Sequence, residues 1–117
     1  MKRTTAQPLA IAIHCIYIII VSKISFTWDD KKNRANQKKH RVSFEEAQSV
    51  FFDEDAIEYF DPEHSESEDR FIMLGLSAHL RVLVVCHCYR ESDSVIRIIS
   101  ARKATRKERE SYSRGAK

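Results

Sequence analysis

Arg97 sits in the run Val95-Ile-Arg-Ile-Ile-Ser100, where alternation puts Val95 and Ile99 on its own face of a strand and Ile96 and Ile98 on the other. A guanidinium held among apolar neighbours on a rigid strand can fork onto two oxygens of a phosphate. From Ala101 the pattern turns helical and cationic, with Arg102, Lys103, Arg106, Lys107 and Arg109 in quick succession. A strand arginine beside a basic helix is one way to grip a phosphate backbone; an ordinary strand followed by a solvated helix is the plainer reading. Arg70 opens another predicted strand and is a second candidate of the same kind, set against an ion pair with Glu66, Glu68 or Asp69. Arg102, just inside the last helix, is the third, with a solvated face as its alternative.

These side chains need a scaffold, and the rest of the chain supplies one. Ile24 to Trp28 alternates as a short first strand, and Asp29 is the N-cap of a helix over Asp30 to Lys39. That helix is almost wholly polar. Lys32, Asn36, Lys39 and His40 fall on one stripe of it. Ser43-x-x-Glu46 is a capping box opening a second helix, whose apolar face is Phe44, Ala47, Val50 and Phe51. Ala56 to Phe60 is a strand, Asp61-Pro62 a turn, and His64 to Asp69 an acidic loop. Arg70 to Leu76 and Arg81 to Cys88 are the arms of a hairpin before the Arg97 strand. The expectation is an α+β domain: an antiparallel sheet of about four strands, two N-terminal helices and a C-terminal basic helix.

With 117 residues, two glycines and two prolines, the chain suits one domain with one core rather than disorder or a turn-rich sandwich. The net charge of +3 matters less than its layout. Lys23 to Arg41 and Ala101 to Lys117 are basic, while Asp53 to Asp69 holds nine acids and no lysine or arginine. Such segregation permits an anionic ligand on one surface and a basic partner on another. Cys15, Cys86 and Cys88 have no framework spacing, which suits a reducing cytoplasm. On a strand Cys86 and Cys88 share a face and His87 points away, so Cys86-His87-Cys88 cannot converge on one ion and reads as partly buried thiols. There is no Gly-rich phosphate loop, Ser–His–Asp order or metal spacing.

Three ordered blocks carry a family resemblance. The first is Phe26-Thr-Trp-Asp-Asp-Lys-Lys32 with Asn36, Lys39-His40 and Val42-Ser-Phe-Glu-Glu-Ala47. The second is Phe60-Asp-Pro-Glu-His-Ser65 with Glu68 and Arg70; the third is Ile96-Arg-Ile-Ile-Ser-Ala-Arg-Lys-Ala104 with Glu108-Arg109 and Tyr112. Together, from about Ser25 to Tyr112, they resemble the BrnT family, the toxin half of a bacterial type II toxin–antitoxin pair. The resemblance implies a RelE-like fold and a ribonuclease that arrests translation in the cytoplasm. It also implies neutralisation by a BrnA-like ribbon-helix-helix antitoxin, in a heterotetramer that represses its own operon.

For RNA cleavage the ribose 2′-OH attacks the neighbouring phosphate, so the protein must supply a base, an acid and fixed cations, with no metal or other cofactor. On this reading Arg70 and Arg97 stabilise the phosphate, and His40 and Glu68 are the acid–base candidates. Lys32, Lys39 and Arg102 bind the RNA backbone and Tyr112 stacks on a base. The competing roles are helix-end placement for His40, surface charge for Glu68, a solvated face for the lysines and an anchor for Tyr112. His64 reads as a residue that satisfies loop backbone, and Trp28 as a packing anchor. The rival readings are a nuclease-inactive homologue that binds antitoxin or nucleic acid, and a membrane-associated interaction protein.

The chain departs from the family pattern twice. Arg41 stands where the family usually has glycine after the Lys-His pair, a place suited to the left-handed residue that closes a helix. Residues 1–23 form an apolar extension that typical members lack, with Lys2 and Arg3 ahead of Pro8 to Val21. It resembles a signal peptide superficially, but the run is short for a bilayer span and contains His14. The preferred reading is a mis-assigned start, with a GTG initiator at Val21, no stable membrane insertion and a toxin domain over 24–117. A weak membrane-associated segment is the alternative.

Overall fold

The computed structural model describes residues 24–91 and 93–115. The extension 1–23, with Cys15 and the expected start at Val21, lies outside the described residues. The elements in order are β1 (Ser25–Thr27), α1 (Asp30–His40), α2 (Phe44–Ser49) running into a 3₁₀ turn (Val50–Phe52), and β2 (Ile57–Phe60). A second 3₁₀ turn (Pro62–His64), β3 (Phe71–Leu76), β4 (Val82–Arg90), β5 (Val95–Lys103) and α3 (Arg106–Gly115) complete it. The sheet has five strands in the order β1-β5-β4-β3-β2. The four antiparallel strands expected from the sequence are β2 to β5, and β1 joins them in parallel, with Phe26 opposite Ile96 and Thr27 opposite Arg97. No helix among the described residues is long and apolar enough to cross a membrane.

Alternation along the strands builds the core on one face of the sheet. Leu83, Val85, Ile96, Ile98 and Ala101 pack there against Val42, Phe44, Ala47 and Val50 from the helical layer. Gly75 lets the 3₁₀ turn lie directly on β3: a Cβ there would come within 2.8 Å of Val50 Cγ1 and 2.9 Å of Ala56 Cβ. Asp29 caps α1 as expected, its Oδ1 accepting from the Lys32 N–H at 3.0 Å. Ser43 accepts from the Glu46 N–H at 3.0 Å and opens α2. The expected capping box is only half made, however. The Glu46 carboxylate turns into the protein, accepts from Ser77 Oγ at 2.6 Å and from Arg81 Nε at 3.0 Å, and ties α2 to the β3–β4 hairpin.

The last helix begins later than the charge pattern suggests. β5 continues to Lys103 because a bulge opposite Cys86 and His87 absorbs Ile99, so Ala101 returns to the core and Arg102 stays on the opposite face. Arg102 is therefore a strand residue and not a helical one. Thr105 starts α3: its Oγ1 accepts from the Glu108 N–H at 3.2 Å and its own N–H donates to Glu108 Oε1 at 2.8 Å, a complete capping box.

The polar helix α1 docks through two buried asparagines. β1 pairs only with Val95 to Arg97, so among the described residues the outer edge of β5 has no strand beside it beyond that point. Asn36 occupies it: Nδ2 donates to Ala101 O and Val42 O, both at 2.8 Å, and Oδ1 accepts from the Ala101 N–H at 3.2 Å. Asn33 Oδ1 accepts from the Phe44 N–H at 2.9 Å. The helix ends at Arg41, left-handed with φ 61° and ψ 32°, its N–H on Gln37 O at 2.9 Å.

Two stability predictions follow from this docking. Asn36→Ala strands buried backbone groups and lowers unfolding free energy by about 2–3 kcal/mol in urea denaturation; a change below ~0.5 kcal/mol would contradict the edge-bridging role. Arg41→Gly relieves the left-handed strain and raises stability by about 1 kcal/mol, read as a higher urea midpoint at constant slope.

Candidate active site

The face of the sheet opposite the helical layer is only partly covered. α3 packs on one end of it, where Ala104 and Tyr112 meet Leu74 and Val84. Beside that contact lies a cavity of about 530 Å³ floored by Ile72, Val84 and Cys86. Its basic side chains come from separate parts of the chain: Lys39 and His40 from the last turn of α1, Arg70 from the start of β3, and Arg102 from β5. Asp61, His64 and Tyr59 close the remaining side.

His64 is oriented by a carboxylate. Pro62 starts a single 3₁₀ turn, and three residues of it bring His64 Nδ1 within 2.8 Å of Asp61 Oδ2. A carboxylate on one ring nitrogen orients the imidazole and leaves Nε2, which has no hydrogen-bond partner among the described residues, to accept or deliver a proton. Asp61 is itself fixed, because its N–H donates to Arg70 O at 2.9 Å and its carbonyl accepts from Ser65 Oγ at 2.6 Å. Arg70 thus shares a backbone hydrogen bond with the residue that orients His64. Its Nε is buried without a partner, while its Nη2 stands 3.4 Å from Glu68 Oε2. A guanidinium held by one long contact at the edge of the cavity has donors left for an incoming oxyanion.

Arg102 is committed more firmly. Nη1 and Nη2 donate to the two oxygens of Glu108, each at 2.9 Å. Those hydrogen bonds, more than any other influence, hold the Glu108 carboxyl down at about 2, against a partial rise from burial. Burial pushes the Cys86 thiol up, and pushes the Tyr59 phenol up with Glu108 adding to the effect. Tyr59 is 46% exposed and offers its ring at the rim.

Of the residues expected from the sequence, Lys39, His40, Arg70 and Arg102 meet in this cavity. Arg97 projects on the same sheet face opposite Cys88, outside the lining. Glu68 bridges Arg70 and Arg90, at 3.4 and 3.0 Å, so it stands behind Arg70 instead of facing the cavity. Lys32 is exposed in the first turn of α1. Tyr112 is an anchor: its hydroxyl donates to Asp53 Oδ2 at 2.6 Å and its ring packs on the Leu74–Val84 cluster, outside the lining of the cavity. His64 with Asp61, Tyr59 and the rim position of Ser100 escaped the sequence reading. Only the Asp-Pro-x-His spacing hinted at the first pair. Among the described residues no group of three or more His, Cys, Asp or Glu is placed to hold a metal ion.

The comparisons with known proteins agree on the fold and the family. A family model described as the ribonuclease toxin BrnT of type II toxin–antitoxin systems matches residues 28–108. The chain is similar to the 1.1 Å crystal structure of the Brucella abortus ribonuclease toxin BrnT, with a TM-score of 0.55 at 20% identity. That likeness covers 71% of this chain and 99% of the other, and it shows the α+β fold. A search of curated proteins finds no match.

The Arg102–Glu108 pair carries a pH signature. Glu108 titrates near 4.5 when unfolded and about 2 when folded, so its contribution is complete above pH 4.5 and fades as pH falls toward 2. Because Arg102 is 42% exposed, solvent screening limits this to about 1 kcal/mol. Glu108→Gln is expected to remove that part of the acid slope in denaturation curves taken between pH 5 and 2; an unchanged slope would show the pair to be energetically idle.

Proposed function

The chain belongs to the BrnT family of ribonuclease toxins of type II toxin–antitoxin systems, and we propose that it cuts RNA in the cavity between α1, the Pro62–His64 turn and β5, arresting translation. The observation that carries this reading is the meeting of Arg70, Lys39 and His40 with an imidazole oriented by Asp61. RNA laid across the open face would set one phosphate against the Arg70 guanidinium. His64, or His40 across the cavity, takes the proton of the 2′-OH as that oxygen bonds to phosphorus; the other imidazole gives a proton to the departing 5′-oxygen. Arg70 and Lys39 stabilise the charge that accumulates on the phosphoryl oxygens. No metal enters the scheme. Tyr59 supplies a ring on which a neighbouring base stacks. Arg97 and Lys32 extend the cationic path for the RNA backbone. Glu68 acts through Arg70, and Arg102 contributes less because Glu108 occupies its fork.

A type II toxin has a cognate antitoxin. We further read that partner as a BrnA-like ribbon-helix-helix protein, in a heterotetramer with two copies of this chain, acting in the cytoplasm where the RNA is. The toxin domain is taken as 24–117.

Inducible expression of the full chain, scored for growth and RNA integrity, tests the reading, together with cleavage by the purified protein in EDTA. Wild type is expected to arrest growth and to cut RNA without divalent cations. Arg70→Ala should lose on the order of 10²–10³ in rate, and His64→Ala roughly 10² or more, with Arg102→Ala losing less than either. Intact RNA and normal growth with folded wild-type protein would leave a nuclease-inactive binding module instead.

A further inference from the structure

The face that carries the helices ends in a second cleft, and its chemistry is the reverse of the first. Phe60, Phe71 and Tyr89 run as a ladder across β2, β3 and β4, with ring centroids 5.6 and 5.4 Å apart in edge-to-face contacts. Phe60 is 46% exposed although it belongs to the face that elsewhere forms the core. Beneath the ladder lies buried His87, whose Nε2 is 2.7 Å from Glu58 Oε2; the Tyr89 hydroxyl donates to the same oxygen. The cleft measures about 480 Å³, and Glu58, Glu68, Asp69 and Asp93 line it with Phe71 and Tyr89. Glu58 and Glu68 have partners, but Asp69 and Asp93 make no ion pair among the described residues. Carboxylates around aromatic faces suit a guanidinium or ammonium group and repel phosphate.

The cleft adjoins an open strand edge. β2 is the last strand of the sheet. Asp61 donates its N–H to Arg70 O, so the alternation of an antiparallel ladder turns the N–H and C=O of Glu58 and Phe60 away from β3. Those groups have no protein partner among the described residues, and such an edge accepts an added strand.

We propose that this edge and cleft form the docking site for the cognate antitoxin, through an extended basic segment. The segment pairs with β2 as a further strand and inserts an arginine or lysine between Tyr89, Phe71 and the carboxylates of Asp69 and Asp93. Charge selects the occupant. RNA is excluded by the acids, and a second copy of this chain fits poorly because the basic residues of its described elements stand mainly on the helices α1 and α3, which cannot add to a sheet edge. The inference rests on the toxin–antitoxin reading and places the partner on the sheet face opposite the RNA cavity.

The test uses the full chain and, as probe, the purified protein whose co-expression relieves growth arrest by the wild type. If no such protein exists, both readings fall; if one exists, the docking site is judged separately. Asp69→Lys with Asp93→Asn, which respects the left-handed φ of 68° at Asp93, is expected to weaken antitoxin affinity by roughly 30-fold or more. RNA cleavage by the free toxin should be unchanged. Lys39→Glu, in the RNA cavity, should bind the antitoxin within a few-fold of wild type. Hydrogen exchange of the wild-type complex should slow at the amides of Glu58 and Phe60. Wild-type affinity in the acidic-cleft variant, loss of affinity in Lys39→Glu alone, or unprotected β2 amides would each overturn the proposal.

Discussion

One carboxamide governs where the cationic side chains stand. β1 is too short to finish the edge of β5, and a polar helix has no apolar stripe with which to dock there. Asn36 resolves both problems by hydrogen-bonding the backbone of Ala101 in both senses, as a neighbouring strand would, while holding Val42 O from the next loop. A carboxamide is the smallest side chain carrying a donor and an acceptor side by side, so it can stand in for one residue of a β-ladder. Everything on the next turn of α1 inherits that position. Lys39 and His40 reach the open face because Asn36 pins the helix across the edge, and Arg41 must turn left-handed at once so that Val42 and Phe44 can enter the core.

The sheet separates two opposed electrostatic surfaces, and Glu68 joins them. It belongs to the acidic cleft on the helical side, yet its carboxylate bridges Arg90 and Arg70, and Arg70 serves the cavity on the opposite face. Both ion pairs are half-exposed and individually weak. Their value is positional: an acid on the loop behind Arg70 keeps the guanidinium from swinging out, while its Nε stays buried and unsatisfied. Segregation of charge by face, visible in the chain as an acidic segment between two basic ones, follows from topology. The acidic segment is the edge strand β2 with the loops on either side of it, while the basic segments carry α1, docked at the β5 edge, and α3, which packs on the open face of the sheet over β3.

Local patterns were legible where short-range physics decides them. Asp29 and Ser43 declared their helices, and the alternation in β3, β4 and β5 declared the sheet. The left-handed residue at 41 was readable only through the glycine that the resembled family has after the Lys-His pair, since an arginine does not itself signal that conformation. Reading failed where one residue changed the phase. The bulge at Ile99 is a single insertion in an otherwise regular strand, so Ala101 and Arg102 looked helical when they still belong to β5. Long-range pairing was equally hidden. Nothing near Glu46 announces Arg81, nothing near Tyr112 announces Asp53, and a stripe of Lys32, Asn36, Lys39 and His40 does not say that its asparagine faces inward. His64 was undervalued for a local reason, because a histidine in an acidic turn looks like any loop residue until the 3₁₀ geometry places it on Asp61.

The pairing of Arg102 explains why the proposed chemistry rests on Arg70 in a chain rich in arginine. Glu108 accepts from both guanidinium nitrogens and also from the Thr105 N–H that opens α3. An incoming phosphate could draw Arg102 away only by breaking a bidentate pair, and the Glu108 side chain it displaces would still be tethered to the helix cap. Glu108 would remain beside the phosphate as an unneutralised charge, and that repulsion opposes the exchange. Arg70 has no comparable obligation. Its single contact with Glu68 is longer, at 3.4 Å, so a phosphoryl oxygen can meet the guanidinium without first breaking a bidentate pair. Between two arginines lining one cavity, the less firmly paired one is the one an oxyanion can recruit.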